Sequence, residues 1–174
     1  MLDTRSWGAT EQECAAAYPC DDHLPQPYLS FHRAVDIDAP VPLAFRWLCQ
    51  IRTGAYTYGR QHSSSRTLTP GAERLALGQR FLAFDLVAFE PDRHLTGVTY
   101  PAARRAYGLL AVTYQVAERA PGASRLVVRL NAATPTGLAR IRAVALAGGD
   151  TVIMRKQLLT LKALAERDAA ADAR

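Results

Sequence analysis

Apolar side chains recur at every second position in three separate segments of this chain. In residues 80–90 the even set is Leu82, Phe84, Leu86 and Ala88, with Asp85 in the odd set. Leu110, Val112, Tyr114 and Val116 repeat the pattern against Thr113 and Gln115, and Leu126, Val128 and Leu130 repeat it against Arg125 and Arg129. Successive side chains of a strand point to opposite faces, so each segment reads as a strand whose even positions face inward. Pro121-Gly122 supplies a hairpin loop between the last two, and Pro91-Asp92 bounds the first. A further strand over residues 94–100 has an open phase, because Leu95 argues for one face and Val98 with Tyr100 for the other.

Strands with one apolar face need cover, and both ends of the chain offer it. Met154, Leu158, Leu161 and Ala165 line one face of a helix that Asp150 would cap and that runs to about Asp168. Before it lie a short helix over residues 138–146 and a loop at Gly148-Gly149-Asp150, and residues 169–174 should fray. Toward the N-terminus a strand over residues 31–37 is halted by Asp38-Ala39-Pro40. A helix over residues 41–50 follows, burying Val41, Ala44, Phe45, Leu48 and Cys49, and residues 60–65 read as a polar loop. Residues 1–30 behave as an arm wrapped on the domain, with Thr10 and Glu13 at capping-box spacing and Pro19, Pro25 and Pro27 holding the chain extended. The order predicts an α+β domain over residues 31–168 in which a curved sheet closes around a long C-terminal helix.

Composition narrows the function classes. A chain of 174 residues with 49% hydrophobic and 21% charged residues fits one globular domain. The formal charge of +5 comes from 19 arginines and two lysines, scattered along the chain beside 31 alanines in a manner typical of GC-rich coding bias. That distribution argues for a charged shell and against nucleic acid. Cys14, Cys20 and Cys49 are odd in number and lack zinc-finger spacing, which predicts reduced thiols, a cytoplasmic location and no metal. No run of 18 apolar residues and no signal-peptide pattern occur.

The ordered set Ile37-Asp38-Ala39-Pro40, Phe45, Trp47-Leu48, Gly78-Gln79-Arg80, Phe89-Glu90-Pro91 and residues 154–159, opening the last helix, resembles the START-like helix-grip superfamily (SRPBCC), which includes polyketide cyclase/dehydrase proteins. Trp7-Gly8-Ala9-Thr10, residues 18–21 and Tyr56-Thr57-Tyr58 are similar to a subgroup common in actinobacteria. The resemblance spans nearly the full chain. It implies a seven-stranded antiparallel sheet gripping the C-terminal helix, two short helices after the first strand, and an apolar cavity between sheet and helix. It carries no shared catalytic motif, and it sets Tyr56 and Tyr58 at the cavity mouth.

Such a cavity predicts a hydrophobic small molecule as partner, held without cofactor by a monomer or homodimer. The lining set is Trp47, Tyr58, Phe84, Leu86, Val112, Tyr114, Val128, Met154, Leu158 and Leu161, although Trp47 and Met154, on apolar helix faces, read first as core positions. Tyr114 carries the one polar atom among the inward residues of the phased strands. Were the protein a cyclase or dehydratase, Tyr114, Tyr56 or His94 would move protons. His62 is a weaker candidate base, Arg155 could meet a carboxylate, and Asp85, Arg80 and Arg129 read as solvated or ion-paired. A third reading is a protein-interaction or regulatory module acting through a sheet edge or the arm. No nucleophile elbow, phosphate loop, HExxH or dinucleotide motif occurs.

Overall fold

A computed structural model describes residues 5–54, 56, 65–133 and 138–172, with side chains in the last segment from residue 153 onward. Its strands are β1 (Ser6–Trp7), β2 (Tyr28–Ile37), β3 (Arg80–Phe81), β4 (Phe84–Glu90), β5 (His94–Thr99), β6 (Leu110–Ala120) and β7 (Ala123–Ala133). Its helices are α1 (Glu11–Ala15), α2 (Val41–Cys49), α3 (Pro101–Tyr107) and α4 (Leu138–Asp172), with short 3-10 turns at Pro19–His23 and Gln50–Arg52. The strands form one sheet in the order β1-β2-β7-β6-β5-β4-β3, antiparallel except that β1 runs parallel to β2. With α2 and α4 on one face, this is the helix-grip arrangement.

The even phase holds on β6 and β7, where Val112, Tyr114, Val116, Leu126, Val128 and Leu130 enter one core with Phe45, Trp47 and Leu48 of α2 and Leu158 and Leu161 of α4. On residues 80–90, which are two strands and not one, it holds at Phe84 and Leu86 and fails on either side of them. Leu82 has a positive φ of 50° and forms with Ala83 the two-residue turn between β3 and β4. Further on, a bulge between Leu86 and Ala88 adds one residue and moves the inward phase to Phe89, opposite Leu95. The open phase of β5 resolves with Leu95 in the main core and Val98 against the opposite layer.

Gly97 sits in that strand because Phe81 lies across it. A Cβ at this position would come within 2.6 Å of the Phe81 ring and 2.7 Å of Phe84 Cβ.

Four other features depart from the sequence reading or add to it. β2 begins at Tyr28, three residues early, because it pairs with β7 along its whole length. Pro40, not Asp38, precedes the first turn of α2; the Asp38 N–H is taken by Glu166 Oε1 at 2.8 Å and its carboxylate by Arg119 at 2.9 Å. α3 was not anticipated, although Tyr100-Pro101 before an alanine-rich run is a helix start. Gly148-Gly149-Asp150 interrupts nothing: α4 is continuous through it and extends to Asp172, so the separate 138–146 helix merges with it and residues 169–172 remain helical.

The outer face of the sheet is also covered. Tyr18, Cys20 and Leu24 pack on Ala34, Ala111 and Val127. The expected capping box forms at Thr10 and Glu13. Arg125 donates to Glu13 Oε2 at 2.8 Å, Asp36 Oδ1 at 2.8 Å and the Gly8 carbonyl at 2.7 Å. Arg129 pairs with Asp21 at 2.9 Å, donates to the Ala16 carbonyl at 2.8 Å and lies 5.4 Å from the centre of the Tyr18 ring. Thr113 accepts from the Cys20 N–H at 3.0 Å. The two outward arginines of β7 therefore anchor residues 8–21.

Gly97→Ala should lower stability by about 1–3 kcal/mol, the usual range for forcing atoms into a filled core, and Phe81→Leu should return part of the loss; urea denaturation of both variants measures it. The bond from Arg125 holds the Glu13 carboxyl below the ordinary carboxylate range. A group depressed in this way stabilises the fold above its unfolded value of about 4.3 and ceases to do so as pH falls through its folded value. Glu13→Gln should therefore lose about 1 kcal/mol at pH 7, and the gap from wild type should close below about pH 4. Equal stabilities at pH 7 would mean that apolar packing alone holds the arm.

Candidate functional site

Strand register lines up six residues across the inner face. Trp7 pairs with Arg33, Arg33 with Val128, Val128 with Tyr114, Tyr114 with Leu95 and Leu95 with Phe89. Side chains of one rung share a face, so a charge and a phenol project into the same layer, separated by Val128. Both are enclosed: Arg33 is 1% exposed and Tyr114 0%.

From above, α4 closes the layer with Met154, Leu158 and Leu161 at helical spacing. Gln157 lies on the same stripe, 2% exposed, and accepts a hydrogen bond from the Tyr114 hydroxyl at 2.9 Å through its Oε1. Around this pair the wall is aromatic and aliphatic. Phe81 meets the Tyr114 ring edge-on with centroids 6.4 Å apart and packs on Phe84 at 5.6 Å. Arg33 donates from Nη1 to the carbonyls of Arg5 at 2.8 Å and His32 at 2.7 Å, which places this nitrogen at the β1 side of β2.

Of the expected lining set, Trp47, Phe84, Leu86, Val112, Tyr114, Val128, Met154, Leu158 and Leu161 all belong to this one core, while Tyr58 lies outside the described residues. Trp47 ties α2 to the end of α4 by donating from Nε1 to Asp168 Oδ2 at 2.9 Å, and its ring meets Tyr56 edge-on at 6.4 Å. Tyr56 gives its hydroxyl to the Ser65 carbonyl at 2.9 Å, and burial pushes its pKa up.

The candidate proton carriers do not converge. His94 faces away from Tyr114, on the outer side opposite Gln115 and 3.4 Å from the Thr96 hydroxyl. Burial pushes its pKa down. His62 lies outside the described residues. Arg155 stacks over Trp7 at 5.0 Å, and Arg80 pairs with Asp85 at 3.5 Å and covers the Tyr100 ring.

Sequence reasoning missed Arg33 and Gln157. Arg33 shares the odd phase of Phe31, Val35 and Ile37, and Gln157 falls three residues after Met154 and one before Leu158, so position betrayed both. Burial lifts the thiols of Cys20 to about 11 and Cys49 to about 12, which keeps them unreactive at neutral pH. Among the described residues no group of three His, Cys, Asp or Glu side chains is placed to hold a metal, and no helix is long and apolar enough to cross a membrane.

Replacing Tyr114 by Phe leaves the buried Gln157 oxygen without its phenolic donor. The variant should lose about 1–2 kcal/mol in urea denaturation, and a loss near zero would place water or another donor within reach of Gln157.

No protein-family model matches the chain, and no curated protein matches it. Solved structures do. Protein MLL2253 from Mesorhizobium loti superposes with a TM-score of 0.53 at 17% identity, covering 80% of this chain and 98% of that one. A protein from Arthrobacter aurescens gives 0.52 at 13%, covering 80% and 87%. The Zhui aromatase/cyclase from a Streptomyces species gives 0.50 at 12%, covering 85% and 97%. At such identities the likeness is one of fold: the chain shares the helix-grip architecture with an aromatase/cyclase and with proteins described by source alone.

Proposed function

We propose that this chain binds a hydrophobic small molecule, lipid-, aromatic- or polyketide-like, between the inner face of the sheet and α4, with no cofactor. The observation that carries the reading is the buried Tyr114–Gln157 bond between sheet and helix, set among the apolar side chains of the main core. Two polar groups buried against each other roughly break even with a pair of apolar side chains of the same shape. Stability alone thus gives little reason to keep them, whereas orienting a ligand does. The aromatic wall of Phe81, Phe84 and Tyr114 supports a flat or elongated apolar body.

Turnover is the second reading, favoured by the same convergence of two polar side chains. A cofactor-free cyclase or dehydratase would hold its substrate in a reactive conformer and use the Tyr114 hydroxyl as proton donor, as the fold likeness to an aromatase/cyclase encourages. His94 has no part in it from the outer face, and Tyr56 is turned to Ser65. Gln157 does not titrate near neutrality, so the pair suits hydrogen-bonded positioning better than proton shuttling. Seating of the arm on its own sheet gives the interaction-module reading no support.

Native mass spectrometry of the purified protein should show an adduct of a few hundred daltons that organic extraction removes. The extracted protein should then take up one equivalent of an apolar fluorescent dye, displaced by the returned extract. A chain that carries no adduct and takes up no dye is not a binder of this kind.

A further inference from the structure

Two polar features share the inner rung, and they would select different ligands. A guanidinium calls for a carboxylate, whereas a phenol–carboxamide pair calls for an uncharged oxygen. We infer that the ligand presents a neutral oxygen, a ketone or hydroxyl, to Tyr114 and Gln157, and that Arg33 does not select it. The inference rests on the binding reading above.

Geometry separates the two. Arg33 stands on β2 and Tyr114 on β6, two strand spacings apart, or about 10 Å between backbones. Arg33 directs Nη1 to carbonyls of residues 5 and 32, on the side of β2 away from β7, where it helps hold β1. Nη1 thus serves the join between β1 and β2. Gln157, by contrast, projects from α4 toward the middle of the sheet, and its bond to Tyr114 spans the layer from sheet to helix. A body lying against Phe81 and Phe84 adjoins Tyr114, because Phe81 touches that ring.

An entering oxygen can exchange with the existing bond. A ketone accepts the Tyr114 proton in place of Gln157 Oε1; a hydroxyl inserts, accepting from Tyr114 and donating to Gln157. Neither exchange brings an ion into the hydrocarbon layer. A carboxylate at the same point would lose its hydration against a phenol and a carboxamide, both neutral, which is the costlier transfer.

The test uses the full chain and four probes on one skeleton: naphthalene, 2-acetylnaphthalene, 2-naphthol and 2-naphthoate, with affinities read by displacement of the apolar dye. The ketone and the naphthol should bind about 3–10-fold more tightly than naphthalene, the range of one net hydrogen bond, and the naphthoate more weakly than either. Tyr114→Phe and Gln157→Met, each checked for an intact melting transition, should erase the advantage of the two oxygenated probes while naphthalene binding is kept. Equal affinity for naphthalene, ketone and naphthol overturns the inference and leaves the binding reading standing. Tightest binding of the naphthoate, lost in Arg33→Met, overturns it in favour of an acidic ligand. No binding of any probe removes the binding reading and this inference with it.

Discussion

A sheet with buried apolar side chains on both faces must be covered twice, and the rest of this molecule follows from that requirement. On β6 and β7 the even positions form the main core, yet the odd positions Ala111 and Val127 are also buried. Helices α2 and α4 cover the even face. On the other face residues 9–24 do the work with Tyr18, Cys20 and Leu24 and with polar anchors. Arg125 and Arg129 bind that segment through carboxylates and carbonyls instead of hydrocarbon. The surplus of arginine, which at first sight points to a polyanionic partner, is here partly internal: two of the outward cations on β7 are consumed within the fold.

The division of labour between the faces explains which parts of the architecture were legible from sequence. Regular alternation on β6 and β7 and the helical stripe 154–165 define the sheet, its inner face and its cover, because burial on one side leaves a strict period. Departures arose where geometry broke the period. The turn at Leu82 uses a conformation that residue identity does not advertise, since leucine has no preference for positive φ. The bulge after Leu86 adds a residue and reverses the phase without any change in composition. At Gly148-Gly149 local propensity argued for a break, and the long helix runs through regardless.

The candidate site shows the same pattern at the level of single residues. Tyr114 was readable because its strand was in register with its neighbours. Arg33 and Gln157 escaped because an arginine and a glutamine look like surface residues until their phase is assigned, and both stand on an apolar stripe. Proton-carrier candidates chosen by residue type alone, such as His94, had no such constraint, and the fold sets His94 on the opposite face from Tyr114.

Charge placement bears on what the inner layer can tolerate. Aspartates, glutamates and most arginines of the described residues lie on the outer face, in the arm or at the ends of helices, where water moderates each charge. Among the described residues buried on the inner face of the strands one is charged, Arg33, and that group is bonded at the join of β1 and β2. Further in, polarity is reduced to a phenol and an amide bonded to each other. The layer is thus charged at β2 and neutral where Tyr114 meets Gln157, and bringing an ion to that centre would cost far more than bringing a neutral group. The neutrality of Tyr114 and Gln157 is therefore a property of the whole fold, set by which strand each polar residue occupies and by the phase that turns it inward.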